Sequence, residues 1–208
     1  MPDGVPVIYS DDALIIVDKP AGLLAVPGRG EHRQDCAASR VIQAFADALV
    51  VHRLDQATSG LLVFARGAAA QRTLSGAFAE RRVVKRYTAV VDGLMLEDRG
   101  CIDLPLAADW RNRPRQQVDA VHGKPSITQW RVLSRDTAAG TTQVELEPLT
   151  GRSHQLRVHL LAIGHAIVGD ALYAPALAAP RLMLHACALA LPHPHDGRPL
   201  NFSSAAPF

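Results

Sequence analysis

At 208 residues, 48% hydrophobic and 20% charged, the chain can bury a sizeable core as one domain, which excludes a wholly disordered protein and a disulfide-stapled mini-protein. Its longest apolar runs, ALIIV at 13–17, LLVFA at 61–65 and ACALAL at 186–191, fall far short of the ~20 residues that span a bilayer, and the amino terminus shows no secretory pattern. A net charge of +2 is only mildly basic, yet just three of the 22 basic residues are lysines (19, 85 and 124), a balance that fits either phosphate recognition or a GC-rich genome.

Residues 6–9 and 13–18 read as two strands around the Asp11-Asp12 turn, and Lys19-Pro20 ends the second. The Gly- and Pro-rich stretch 19–33 predicts a loop, and 34–48 a weakly patterned helix. Gly60 marks a turn before the short buried strand 61–65. The spacing of Leu74 and Phe78 predicts a helix over 68–82, with Arg81 and Arg82 in its last turn, where cations suit the dipole. VVKRYTAVV at 83–91 reads as a strand. The three prolines of 105–125 predict an exposed loop or hairpin arm, and 127–135 with 141–148 a hairpin. Ser153 is placed to cap a helix running to about Ile163, stopped by Gly164. Strands follow at 181–191 and 199–203. Strands dominate, hairpins join many of them and helices are few, so the expected class is α+β around a mixed, largely antiparallel sheet.

Four segments concentrate chemistry. In VHRLDQATSGLLVFA at 51–65, His52, Arg53 and Asp55 precede a turn that feeds a buried strand, which would hold a charged side chain rigidly at a cleft. Turn capping and mutual pairing account for the same residues equally simply. In LTGRSHQLRVHL at 149–160, Arg152 sits before a helix start beside Gly151; it can face an anion or join a surface ion pair. In RRVVKRYT at 81–88, Lys85 and Arg86 adjoin Tyr87, a mix suited to phosphate contact and base stacking, or to a solvated edge strand with a half-buried tyrosine. WRNRPR at 110–115 puts a tryptophan among three arginines, to grip an RNA backbone or as a charged loop. Nine scattered histidines form no HExxH pair, and Cys36, Cys101 and Cys187 form no CxxC, so the expectation is no metal site and reduced thiols. A phosphate-binding P-loop and a GxSxG elbow are also absent.

Taken together and in order, VIYSDDALIIVDKPAGLLAVPG (7–28), HRLDQATSG (52–60), KRYTAVVDG (85–93), TGRSHQLRVHLLAIGH (150–165), VGDALYA (168–174) and RLMLHA (181–186) resemble the RluA family of RNA pseudouridine synthases over nearly the whole chain. HRLDxxTSG is a highly specific signal. The resemblance implies the pseudouridine synthase fold, with a few helices flanking the sheet and a central cleft, as a single catalytic domain over 1–208 with no room for an S4 RNA-binding domain. DWRNRPRQQV at 109–118 and GKPSITQW at 123–130 are similar to the dual-specificity branch, which modifies a uridine of the tRNA anticodon stem-loop (uridine-32 type) and one in a 23S rRNA hairpin (uridine-746 type). Ala166, where a proline often follows Gly-His, and the irregular stretch 29–35 depart from the pattern and bear on target choice.

What the resemblance implies is an isomerase that converts uridine to pseudouridine within RNA, without ATP, metal or organic cofactor. Asp55 is then the essential carboxylate, either nucleophile at C1′ or base toward a sugar proton. Arg152 pairs with Asp55 and keeps it ionised. Tyr87 stacks on the uracil and takes the C5 proton, and Leu184 lines the apolar wall confining the loose base. The target must flip out of its stack, with Arg53 filling the gap. RNA is the expected partner, the expected state a monomer and the expected setting a bacterial cytoplasm. The same chemistry on a single or different uridine, and a non-catalytic RNA-binding module, are the alternatives.

Overall fold

Asp11 opens the first hairpin by accepting the backbone amides of Ala13 (2.8 Å) and Leu14 (2.9 Å), the way a short acidic side chain closes a turn. The structure, a computed structural model, describes residues 4–208. The hairpin joins β1 (Val7–Ser10) to β2 (Leu14–Lys19). A 3-10 turn at Glu31–Arg33 and helix α1 (Ala37–Ala44) follow, then β3 (Ala48–Val50), β4 (Ser59–Arg66), α2 (Gly67–Ala79) and β5 (Val84–Asp92). Next come β6 (Arg99–Asp103), β7 (Leu106–Ala108), β8 (Gln116–Val118), β9 (Ile127–Asp136), β10 (Thr141–Pro148), α3 (Gln155–Ala162), β11 (Leu184–Pro192) and β12 (Pro199–Ser203). The chain divides into two compact units, Met1–Lys85 with Ala186–Pro207 and Arg86–His185 with Phe208; the divisions fall within β5 and β11. No helix among the described residues is long and apolar enough to cross a membrane.

In the first unit β4 is central. β2 pairs with it antiparallel from Leu14↔Ala65 to Lys19↔Gly60, β3 pairs with its far end, and β11 lies beside it and carries β12. Seven of the eight β4 residues are buried, as expected of a strand covered on both faces. Helix α2 packs Ala70, Leu74 and Ala77 onto Leu14, Ile16, Leu61, Val63, Leu189 and Leu191. Gly60 stands inside β4 and not in a turn. Its φ is +112°, and a Cβ there would lie 2.4 Å from the Ala186 carbonyl oxygen, so glycine alone permits this approach to β11.

In the second unit β10 is paired with β5 (Leu146↔Tyr87 to Thr141↔Asp92) and with β9, which carries β6; all three pairings are antiparallel. Strand β10 alternates half-buried and buried residues over its whole length. The proline-rich stretch forms the hairpin arm β7–β8. Strand β6 has no counterpart in the sequence reading. Helix α3 buries six of its eight residues, which explains the poor periodicity of its sequence.

Local boundaries differ from the expectations in three informative places. Helix α1 ends at Ala44, because Phe45 turns to an extended backbone and 48–50 is recruited as a strand beside β4. Helix α2 ends before Arg81, which adopts φ 59°, and the Arg82 amide reaches back to the Ala77 carbonyl (2.8 Å) in a Schellman closure. Arg81 and Arg82 therefore lie beyond the last turn. The residue before α3 is His154, in the left-handed conformation, and not Ser153; the helix start is held instead by Gln155, whose Oε1 accepts the Arg152 amide at 3.0 Å.

Candidate functional site

The segment 52–60 is held at alternate points. The His52 Nε2 accepts the Val63 amide (3.1 Å), and its ring stacks on Phe78 with centroids 4.6 Å apart. That acceptor role requires a neutral imidazole, and burial first, then the Lys85 charge, pulls the His52 pKa down to about 3. Leu54, Thr58 and Ser59 are buried, and the Thr58 amide closes a turn onto the Asp55 carbonyl (3.1 Å). The residues between are the ones left toward solvent: Arg53 and Gln56 are exposed and Asp55 is half-buried. The loop thus presents a carboxylate and a guanidinium from a pinned backbone.

The brace beneath it is Lys19, at the end of β2 and 0% exposed. Its ammonium donates to the carbonyls of Pro20 (2.9 Å), Leu23 (2.8 Å) and Gln56 (3.1 Å). Gln56 and Gly22 exchange two further bonds, Gly22 N–H to the Gln56 carbonyl and Gln56 Nε2 to the Gly22 carbonyl, both 2.9 Å. The loop after β2 and the loop bearing Asp55 are therefore tied together residue by residue. A buried ammonium satisfied by carbonyls is costly to assemble and correspondingly rigid. Sequence reading assigned Lys19 only to a strand end and did not single out Gln56 or Gly22; a lysine closing an apolar strand just before Pro-Ala-Gly was the available signal.

The second unit carries Tyr87, Arg152 and Leu184. Arg152 is exposed on the turn before α3. The Gln155 side chain beneath that turn makes four bonds: it accepts from Thr150 Oγ1 (2.8 Å) and the Arg152 amide, and donates to the Ile127 carbonyl and Thr128 Oγ1 (3.0 Å each). Arg157 and Asp170, both buried, form a two-pronged ion pair at 2.7 and 2.6 Å, and Asp170 also accepts the amides of Leu172 and Tyr173. The Tyr173 hydroxyl contacts His154 Nδ1 and accepts the Gln116 amide, each at 2.7 Å, which ties the β7–β8 hairpin to the turn bearing Arg152. Tyr87 is half-buried on β5 opposite Leu146, and Leu184, at the start of β11, is buried. Of the predicted site residues, the first unit thus contributes Asp55 and Arg53, and the second Tyr87, Arg152 and Leu184.

His159 and His193 are held by structural partners. His159 is buried between Thr128 Oγ1 and the Leu104 carbonyl, and burial holds its pKa below the usual histidine range. Asp11, Asp12 and His193 bring their ligand-type atoms within 4.8 Å of one another, but Asp11 is engaged by Tyr9, His193 and two amides, and His193 also reaches Asp196. This set reads as a fastening of two turns. The three cysteines are free thiols, and Cys36 helps cap α1 through Ser39.

Residues 13–162 match the family model for RNA pseudouridylate synthase. The chain is 49% identical to the dual-specificity RNA pseudouridine synthase RluA of Yersinia pestis, over 97% of this chain and 99% of that protein. It is 47% identical to the protein of the same name from Escherichia coli K12, over 97% and 93%. Among solved structures, human RNA pseudouridylate synthase domain containing 1 superposes with a TM-score of 0.84 at 30% identity, covering 100% of this chain and 86% of that one.

Proposed function

The chain belongs to the RNA pseudouridylate synthase family and is an isomerase acting on RNA, and we propose that it converts specific uridines of two structured RNAs to pseudouridine. The two targets are a uridine of the tRNA anticodon stem-loop and one in a 23S rRNA hairpin, in a bacterial cytoplasm, and the protein acts as a single catalytic domain and a monomer. Its similarity to proteins named dual-specificity enzymes supports two targets.

The observation that carries the chemical assignment is the pinned loop 52–60, which holds its backbone through Lys19, His52 and Gly60 while Arg53 is exposed and Asp55 half-buried. A carboxylate on so fixed a loop suits a reaction that depends on placement against C1′. In the proposed reaction the N1–C1′ bond breaks and the uracil turns. C5 then bonds to C1′, the C5 proton leaves and N1 gains a proton. Asp55 acts at the sugar, as nucleophile at C1′ or base toward a sugar proton, and stabilises positive charge developing there. Arg152 is assigned the role of a cation that orients the carboxylate. Tyr87 stacks on the uracil and receives the C5 proton, and Leu184 contributes an apolar wall. Arg53 occupies the space vacated by the flipped nucleotide, whose unstacking costs a few kcal/mol.

Tritium release from RNA labelled at uridine C5 tests this directly, because rejoining through C5 expels that hydrogen. Both RNAs release tritium with the native protein, and Asp55→Asn releases none while still binding RNA. Release unaffected by Asp55→Asn removes the assignment of Asp55. Release from one RNA alone removes the dual specificity.

A further inference from the structure

The segment 109–115 is not used by the chemistry above, yet its construction is unusual. Trp110 is 72% exposed at the tip of the β7–β8 hairpin. One face of its ring is covered by the Arg113 guanidinium, 3.6 Å from the ring centroid. The tip is rigid: the Asp109 carboxylate accepts the Asn112 amide (3.1 Å) and Nδ2 (2.8 Å), while Asp109 and Arg115 close the hairpin by a 3.0 Å main-chain bond. Asp109 and Asp119 are both held below the usual carboxylate range, Asp109 chiefly by Asn112 and Asp119 chiefly by the His122 and Val121 amides. The acidic groups at the tip are thus spent on closing turns. Arg111 and Arg113 have no carboxylate partner among the described residues.

Beside the tryptophan lies a groove of about 560 Å³, lined by Trp110, Arg111, Gln117 and His122 and by the two turn-closing carboxylates Asp109 and Asp119, among others. That is within the roughly 300–1,000 Å³ of small-ligand sites and holds one nucleotide comfortably. An exposed indole with a cation packed on one face, next to unpaired arginines and an amide side chain, is the equipment for holding a nucleobase and its phosphate. Tyr173 joins the base of this hairpin to the turn bearing Arg152, so the platform is attached to a segment that the proposed chemistry uses.

We propose that the β7–β8 hairpin is an RNA-reading arm in which Trp110, backed by Arg113, stacks on an unpaired base other than the isomerised uridine, with Arg111 on the adjoining phosphate. The inference rests on the reading of the protein as an RNA-modifying enzyme. Charge complementarity favours RNA as the occupant: the tip offers cations without partners, and its carboxylates are engaged internally. Stacking on an aromatic side chain tolerates different bases, so one arm serves two target RNAs.

The test uses Trp130→Phe protein, which leaves Trp110 as the sole indole. Its emission is followed while a stem-loop RNA with an unpaired loop, or a fully paired duplex of equal charge, is added. Saturable quenching by the stem-loop and not by the duplex supports stacking. Trp110→Ala then weakens stem-loop binding about tenfold or more, Trp110→Phe recovers most of that loss, and Arg111→Ala lowers the salt dependence of binding by about one phosphate contact. Unchanged emission at saturating stem-loop, equal quenching by the duplex, or native affinity in Trp110→Ala overturns the proposal and leaves the tip as a face for some other macromolecule. Tritium release separates the two readings. Without release by the native protein, quenching still establishes the arm but the isomerase reading fails. With release and no quenching, the arm alone is rejected.

Discussion

The turn bearing Asp55 and the turn bearing Arg152 are built on opposite plans. Beneath Asp55 the fastening is a buried ammonium, and Lys19 donates to the main-chain carbonyls of Pro20, Leu23 and Gln56. Beneath Arg152 it is a neutral amide that both accepts and donates, so Gln155 grips the Arg152 amide and two residues of β9 at once. An ammonium can only donate and therefore gathers carbonyls; an amide can bridge donors to acceptors. Charge in the second unit is buried too, but as the Arg157–Asp170 pair, where each member satisfies the other. The first unit thus depends on one residue that nothing else replaces, the second on a pair that can be exchanged as a pair.

The largest effect is expected at Gly60, where both plans are irrelevant and only space matters. Gly60→Ala forces a methyl against the Ala186 backbone at a positive φ and costs about 4 kcal/mol or prevents folding; denaturant unfolding measures it. Next come the two hubs. Asp170→Ala leaves a buried guanidinium uncompensated and costs about 3–5 kcal/mol, while replacing both partners together (Arg157→Met with Asp170→Leu) recovers most of that. Recovery is incomplete because Asp170 also serves two amides. Lys19→Met removes three bonds to carbonyls and costs about 2–4 kcal/mol, and no second substitution of a partner rescues it. A double variant no better than Asp170→Ala alone erases the distinction between the units.

Acid acts more gently, at two groups of the first unit. His52 in the folded protein titrates near 3, against a usual 6.5, so the unfolded chain binds the extra proton between those values. The stability it underwrites is complete above about pH 6.5 and is lost as pH falls toward 3, at no more than about 1.4 kcal/mol per pH unit. Asp11 resists longer. Burial raises its pKa, but the Tyr9 hydroxyl, two amides and His193 bring it down to about 2, so its contribution fades only as pH falls from near 3.8 toward 2. His52→Gln, which keeps an acceptor for the Val63 amide, flattens the urea-derived stability profile between pH 6 and 4; an unaltered slope assigns the acid loss elsewhere. The smallest effect on stability belongs to Arg53→Ala, under about 0.5 kcal/mol because the side chain is exposed. Single-turnover rates on stem-loop RNA fall nonetheless if Arg53 supports flipping, and equal rates remove that role.

Much of this was legible from residues alone. The β1–β2 hairpin, the buried strand through Leu61 and Val63, the α2 face of Leu74 and Phe78, and the 127–148 hairpin follow from short-range periodicity and turn chemistry, which act within a few residues. The motif around Asp55 was visible as a string, and matching it to a known family gave the chemistry. The end of α2 is a local matter of the Arg81 conformation, but the other differences share a cause. The predicted helix 34–48 loses its end because β4 offers 48–50 a strand partner, and the start of α3 is set by Gln155 reaching Ile127 and Thr128, far away in sequence. Cys101 and its neighbours become a strand only because β9 pairs with them.

The sequence by itself determined the alternation of strands and helices, the turn at Asp11 and the cluster of residues from His52 to Gly60, since each depends on backbone preference and neighbours a few positions apart. Only the tertiary structure decided which of those residues face inward. For Lys19 and Gly60 the local sequence does not set the role; one is a buried hub because the Gln56 carbonyl comes back across 37 residues to meet it, and the other must be glycine because Ala186 arrives from the far end of the chain. Long-range contact fixes such roles because the unsatisfied carbonyl and the missing space exist only once the distant segment is in place.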